Sequence, residues 1–287
     1  MTTPAPAPLP AGDEINGQDS FARGRAAERA GRLEEAREAY EGALVRDTGR
    51  AEWQYRLGCV LLKLDDPAAA RVCFERAAAG AFDQARSLTN LGVSLDRLGR
   101  PEEAAQVYRK AIGHGASAVA HHNLGSIHAE AGRTEEAIRS FEAAITLAPD
   151  AEAYLNLGLV HYAREDFGRA RECFDRSVAA DPGYALGHYH AALCLMRTGM
   201  YRAACERFRR AAQLAPRLVR ISFHLGVCLR QLGELDAART SLERSLEASP
   251  EDGRVHYELA LTCDALGLHQ DARRHYGRAR ALAENHG

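Results

Sequence analysis

Residues 121–125 read HHNLG, residues 88–92 LTNLG and residues 154–158 YLNLG, so Asn-Leu-Gly returns with its Asn at 90, 123 and 156, every 33 residues. Self-similarity at a period of roughly 20–50 residues marks a stacked unit and decides the architecture before any single element is assigned. Working outward from the triplet, ARGRAAERAGRLEEAREAYEGAL (22–44), LGVSLDRLGRPEEAAQVYRKAI (91–112), LGSIHAEAGRTEEAIRSFEAAI (124–145) and LGVCLRQLGELDAARTSLERSL (225–246) bring small and large residues into one register. The register divides the chain into eight repeats: 17–50, 51–84, 85–117, 118–150, 151–184, 185–218, 219–252 and 253–286. Residues 1–16, rich in Pro and Ala and without an apolar run, read as a disordered tail and not as a signal peptide.

Each repeat reads as two helices. In the first, apolar and small residues fall at helical spacing, as in Leu91, Gly92 and Leu95. A break follows, with Gly at 31, 99, 132, 199, 233 and 267, suited to the left-handed residue that ends a helix. The second helix carries Ala, an aromatic four residues on and a small residue three further, as in Ala137, Phe141 and Ala144; those spacings share one face. The small residues Gly24, Gly58, Gly92, Gly125, Gly158 and Gly226, with Ala192 and Ala260, are expected where two helices approach closely. Opposite them stand Ala36, Ala70, Ala104, Ala137, Ala170, Ala204, Ala238 and Ala272, and a ring is expected to fill the space left over: Tyr40, Phe74, Tyr108, Phe141, Phe174, Phe208 and Tyr276, with Leu242 in the seventh repeat. Pro149, Pro182, Pro216 and Pro250 stop second helices.

This pattern resembles the tetratricopeptide repeat, whose signature is Trp-x2-Leu-Gly-x2-Tyr, Ala-x3-Phe and a late Pro on a period of about 34 residues. The resemblance covers residues 17–286, with departures: the single Trp, Trp53, lies one position early, the late Pro is missing from the first three repeats, and two repeats are one residue short. It implies an all-α fold, a right-handed α-solenoid of antiparallel helix pairs whose first helices line a concave groove. Each repeat of such a solenoid touches only its neighbours, so its ends must be made soluble. The charged first helix (Arg23, Arg25, Glu28, Arg29) and the polar stretch 271–287 suit that task, and end-to-end self-association of copies is an alternative use of those ends.

The resemblance also implies which side chains line the groove: positions two, five, six, nine, twelve and thirteen of each first helix. That places Asn90, Asn123 and Asn156 at position six of three successive repeats. Asn is less favourable than Ala in a helix by roughly half a kcal/mol, and its amide offers a donor and an acceptor to any peptide backbone. The run is therefore either a ladder that clamps an extended segment or a solvated scaffold choice. Apolar residues join it in the last four repeats: Leu155, Leu159, Tyr162, Tyr189, Leu193, Met196, Phe223, Val227, Tyr257 and Leu261. Exposed, such a wall marks a binding surface. Arg56, His190 and His224 occupy position six elsewhere, and the first four repeats are otherwise polar, with Arg25, Glu28, Arg29, Lys63, Asp96, Arg97 and Glu130. The carboxylate-capturing relatives that bind chaperone C-termini use Lys at position five; here it reads Phe21, Tyr55, Thr89, His122, Leu155, Tyr189, Phe223 and Tyr257.

Catalytic chemistry finds little support. His190 with Cys194 and His224 with Cys228 repeat an i, i+4 pair of zinc-competent ligands 34 residues apart. Equivalent points on neighbouring helices lie about 8–10 Å apart, too far to converge on one ion, so this set is a weak metal candidate and Cys serves as a small packing residue. There is no Ser-His-Asp constellation, no H-E-x-x-H and no Gly-rich phosphate loop after a strand, and no cofactor is implied. A formal net charge of −2 provides no field for nucleic acid or an anionic membrane. Seven cysteines without framework spacing point to a reducing cytoplasm, and no run approaches the roughly 18 apolar residues of a spanning helix. The expectation is a non-catalytic module that binds a protein or peptide segment, with a self-associating scaffold or a regulatory subunit of an enzyme, such as one building cell-envelope polymers, as alternatives.

Overall fold

The recurring break after about thirteen residues sets the length of every element. The computed structural model describes residues 16–115, 117–218 and 220–284, and among these every regular element is an α-helix. The tail expected to be disordered lies outside the described residues except for Asn16, whose side chain accepts from the Asp19 N–H at 2.9 Å and caps the first helix.

The described residues form two compact blocks, one up to Ala131 and one from Gly132 onward. The first block holds α1 (Gly17–Arg29), α2 (Leu33–Arg46), α3 (Ala51–Lys63), α4 (Pro67–Ala79), α5 (Gln84–Arg97), α6 (Pro101–His114) and α7 (Ala118–Glu130). The second holds α8 (Thr134–Leu147), α9 (Ala151–Ala163), α10 (Phe167–Ala180), α11 (Ala185–Arg197), α12 (Tyr201–Leu214), α13 (Arg220–Gln231), α14 (Leu235–Ala248), α15 (Gly253–Ala265) and α16 (His269–Glu284). Within each block a helix packs on its sequence neighbours, and alternate first helices also touch, as α3 does α5 and α9 does α11.

The helix ends follow the chemistry of their residues. All six break glycines have φ between 70 and 78°. At Gly99 the turn is closed by the Arg100 N–H on the Leu95 carbonyl at 2.9 Å, the bond that satisfies an orphan carbonyl at a helix end. In the two repeats without Gly, Asp65 (φ 60°) and Glu165 (φ 61°) take the same conformation at a steric cost. Asp66, Asp150, Asp166 and Ser117 begin their helices by accepting from backbone N–H groups of the first turn.

Packing shows why small residues recur opposite rings. A Cβ on Gly158 would lie 2.5 Å from Cε1 of Phe174, and one on Gly24 2.5 Å from Cδ1 of Tyr40, so only Gly lets the ring lie flat on the facing helix. The opposing alanines from Ala36 to Ala272 are all at most 1% exposed. Tyr40, Phe74, Tyr108, Phe141, Phe174 and Phe208 are likewise buried, and Leu242 takes the ring's place. Tyr276 departs from this: it is only half-buried, at 6.0 Å from the Tyr257 ring, because no helix among the described residues covers α16. Trp53 stacks on Phe21 at 5.3 Å and 20°, joining α3 to α1. No described helix is long and apolar enough to cross a membrane.

Candidate partner-binding face

Position six of α7, α11 and α13 lies against the ring of the preceding second helix, which helps decide how its side chain is held. In the first block the partner is polar. Asn123 donates from Nδ2 to the Tyr108 hydroxyl at 3.0 Å; Asn90 donates to the Tyr55 hydroxyl at 3.2 Å and to Cys59 Sγ at 3.7 Å. Arg56 approaches Glu28 at 4.0 Å, and Glu28 in turn accepts from the Tyr40 hydroxyl and Lys63 Nζ, each at 3.0 Å. Burial alone would raise the Glu28 carboxyl; the bonds from Lys63 and Tyr40 outweigh it and hold it below its ordinary range. Burial pushes all three phenols, Tyr40, Tyr55 and Tyr108, up, most at Tyr40 and Tyr108.

In the second block position six packs ring on ring. His190 lies 5.3 Å from Phe174 and edge-on to Tyr189 at 5.0 Å. His224 stacks on Phe208 at 5.8 Å and 19°, with Phe223 and Tyr189 edge-on. The His224 Nδ1 sits 2.8 Å from the Arg220 carbonyl and so carries the proton, whereas the buried Nδ1 of His190 has no partner among the described residues. Burial, joined by the charge of His224, pushes the His190 imidazole down to about 4, and burial lowers His224 as well. Asn156, on α9 of this block, is half-buried.

The apolar residues expected on this face divide in two. Leu155, Tyr189 and Leu193 are buried, a correction to their expected exposure. The physical reason is that the next first helix covers them: Leu155 packs with Ala191 and Cys194 of α11, and Tyr189 and Leu193 belong to the core shared with α13. Leu159, Tyr162, Met196 and Phe223 are half-buried, and Tyr257 is 51% exposed. Phe223 and Tyr257 border a cavity of about 970 Å³ that also reaches Arg254, Tyr276 and Leu282. The weak metal candidates are not gathered: Cys194 and Cys228 are buried among α10–α13, burial pushes each thiol up to about 12, and among the described residues no three His, Cys, Asp or Glu side chains are grouped to hold a metal ion.

Sequence reasoning missed one contact on the outer side of this block. His256 Nε2 lies 3.1 Å from the Pro250 carbonyl and its Nδ1 3.0 Å from Nδ1 of His275, tying α15 to α16. His188 repeats the first half on the Pro182 carbonyl at 3.3 Å. The signal was available as a Pro-x5-His spacing at 182/188 and 250/256.

The family model of the tetratricopeptide repeat matches residues 20–51, 55–119, 122–185, 189–252 and 229–286. The chain belongs to the tetratricopeptide repeat family. Among solved structures, this repeat protein is similar to MamA MSR-1, at 29% identity over 59% of this chain and 98% of that one with a TM-score of 0.53. A second MamA structure is 22% identical, covering 56% and 95%, with a TM-score of 0.54. The Cut9-Hcn1 hetero-tetramer of the APC/C is matched at 18% identity over 96% of this chain, with a TM-score of 0.58; the chain spans 54% of that one, and the likeness is of fold alone. No curated protein matches the chain significantly. Tetratricopeptide helix pairs with no other domain describe an interaction or scaffold module.

Proposed function

We propose that the protein is a non-catalytic cytoplasmic adaptor that binds an extended or helical protein segment along the groove face of its first helices. The observation that carries this reading is Tyr257, 51% exposed beside half-buried Phe223 on a cavity of about 970 Å³. A large ring held open to solvent next to a roomy, mostly apolar hollow is the kind of anchor pocket on which interface energy concentrates. The three Asn support the reading in a modified form. Asn90 and Asn123 each commit an N–H to a neighbouring phenol, and Asn90 also donates to Cys59 Sγ, which fixes the amide and leaves its carbonyl for a partner backbone. Each such bond contributes only about 0.5–1.5 kcal/mol, so half-buried Tyr162, Met196 and Phe223 and exposed Tyr257 supply most of the affinity. The reducing compartment rests on seven cysteines, none of them paired.

The test compares capture from host lysate by the wild type, by Phe223→Ala/Tyr257→Ala and by Asn90→Ala/Asn123→Ala/Asn156→Ala, after circular dichroism confirms equal melting. The reading expects one partner held by the wild type, lost from the aromatic variant and weakened in the amide variant. A partner held equally by all three removes the groove face from the account.

A further inference from the structure

The start of the first block carries a charge imbalance that its own fold leaves unsettled. Arg25, Arg29, Arg56, Lys63 and Glu28 line a hollow of about 290 Å³ between α1 and α3. Four cations therefore surround one carboxylate. That carboxylate is already engaged, accepting from Lys63 Nζ and from the Tyr40 hydroxyl at 3.0 Å each. Arg56 reaches Glu28 only at 4.0 Å, and its buried Nε has no hydrogen-bond partner among the described residues. Arg29 donates from Nε to the Arg25 carbonyl at 3.2 Å, and neither Arg25 nor Arg29 has a carboxylate within ion-pair reach among the described residues. Four other arginines of this block, Arg32, Arg37, Arg50 and Arg100, each pair with an Asp or Glu three residues away.

We infer that this hollow binds an acidic stretch of a protein partner, with Asp or Glu at alternate positions of an extended chain. Guanidinium forks bind carboxylates by paired N–H bonds, and two of them without an ion-pair partner among the described residues, with a third held only at 4.0 Å from Glu28, make a preformed receptor. Their spacing selects a chain and not one compact oxyanion. Arg25 and Arg29 are one helical turn apart, about 6 Å along α1, and Arg56 and Lys63 are about 10 Å apart along α3. Alternate residues of an extended strand repeat at about 6.6–6.8 Å, close to the Arg25–Arg29 spacing, so successive carboxylates meet that pair and the chain runs on toward α3. A lone phosphate needs its donors to converge on one point. Glu28 holds Lys63 and Tyr40 in place and keeps the site from being a featureless basic patch.

The inference rests on the proposed function and names the chemistry of its partner at the first repeats. Its test uses the full chain and a fluorescent twelve-residue peptide with Glu at alternate positions, the same peptide with Gln for Glu, an RNA oligomer, and inorganic phosphate as competitor, followed by anisotropy. The Glu peptide is expected to bind at least about tenfold more tightly than the Gln peptide and to weaken steeply with salt. Arg25→Gln/Arg29→Gln/Arg56→Gln is expected to lose that margin, while Arg207→Gln/Arg209→Gln/Arg210→Gln on α12 keeps it. Glu28→Gln, which removes the one negative charge, is expected to bind the Glu peptide at least as tightly as the wild type. Equal affinity for the two peptides, an unaffected Arg25/Arg29/Arg56 variant, tighter RNA binding, or displacement by millimolar phosphate overturns the inference. Because the peptide is synthetic and the site lies on α1 and α3, such a failure leaves capture through Phe223 and Tyr257 untouched, and loss of that capture leaves peptide binding here measurable.

Discussion

The two blocks close the same scaffold position by different chemistry. On α3, α5 and α7 position six is Arg56, Asn90 and Asn123, and the contacts are an ion pair and two amide-to-phenol hydrogen bonds. On α11 and α13 it is His190 and His224, the first tilted against Phe174 and the second stacked on Phe208. The ring beneath supplies the contact for Asn123, His190 and His224, whereas Asn90 finds its phenol at Tyr55 instead. A Tyr hydroxyl, as at Tyr40 and Tyr108, calls for a polar neighbour when buried, whereas a bare Phe face accepts another ring. Position six is therefore partly a packing position, and the repeated Asn that opens the sequence reading is in part a consequence of Tyr55 and Tyr108.

The contrast is broken most severely by removing the rings themselves. Tyr108→Ala in the first block and Phe174→Ala in the second are each expected to cost about 3–5 kcal/mol, because both rings are fully buried. Hydrogen exchange should show the loss of protection in the repeats next to the substitution, since repeat stability is a sum of local terms. Uniform loss over both blocks would deny that locality.

Acid should separate the blocks next. His190 is neutral in the folded chain down to about pH 4, against an ordinary value of 6.5. Between those values the unfolded chain takes up a proton that the folded chain refuses, so stability is full above about pH 6.5 and falls as pH drops toward 4, by up to about 3 kcal/mol. His161, His188, His224 and His275, all lowered by burial, add in the same direction and lie in the second block. In the first block His121 is lowered as well, and the Glu28 network, whose carboxyl is depressed, is lost only below its ordinary 4.5. Exchange at pH 5.0 should therefore loosen α10–α13 before α1–α5, and His190→Phe should blunt the difference. Equal loosening would contradict the burial of these imidazoles.

Tyr108→Phe sharpens the comparison on a smaller scale. It leaves the ring and removes the acceptor of the Asn123 amide, with an expected loss of about 1 kcal/mol in a chemical melt. Asn123→Leu in the Tyr108→Phe background should recover part of it by turning a first-block contact into a second-block one. Smallest is Glu165→Gly. The left-handed φ of 61° costs a side chain that Gly lacks, and a gain of about 1 kcal/mol is expected. A loss would mean that Glu165 contributes a contact beyond its backbone.

The fold was legible because its signals repeat. One Gly or one Ala says little, but Ala at the same register from Ala36 to Ala272 leaves few alternatives, and every one is buried. The glycine breaks likewise predict their own backbone angles, while Asp65 and Glu165 were invisible because no residue type announces a strained turn. The face was legible only in part. A helical template says which way a residue points from its own helix, not whether the next helix covers it, which is why Leu155, Tyr189 and Leu193 are buried and Tyr257 is not. The Asn-to-Tyr bonds and the His256–His275 contact join residues 15 to 35 apart with different side chains in each repeat, so periodicity does not reveal them.

The most direct test of the groove face is site-specific photo-crosslinking in the native host. A photoreactive phenylalanine analogue is placed at Phe223 or Tyr257 on the face, or at Val45, an 83% exposed residue of α2. The account predicts one discrete adduct from Phe223 and Tyr257 and none from Val45. Adducts from Val45 alone would place binding on the second helices and contradict it.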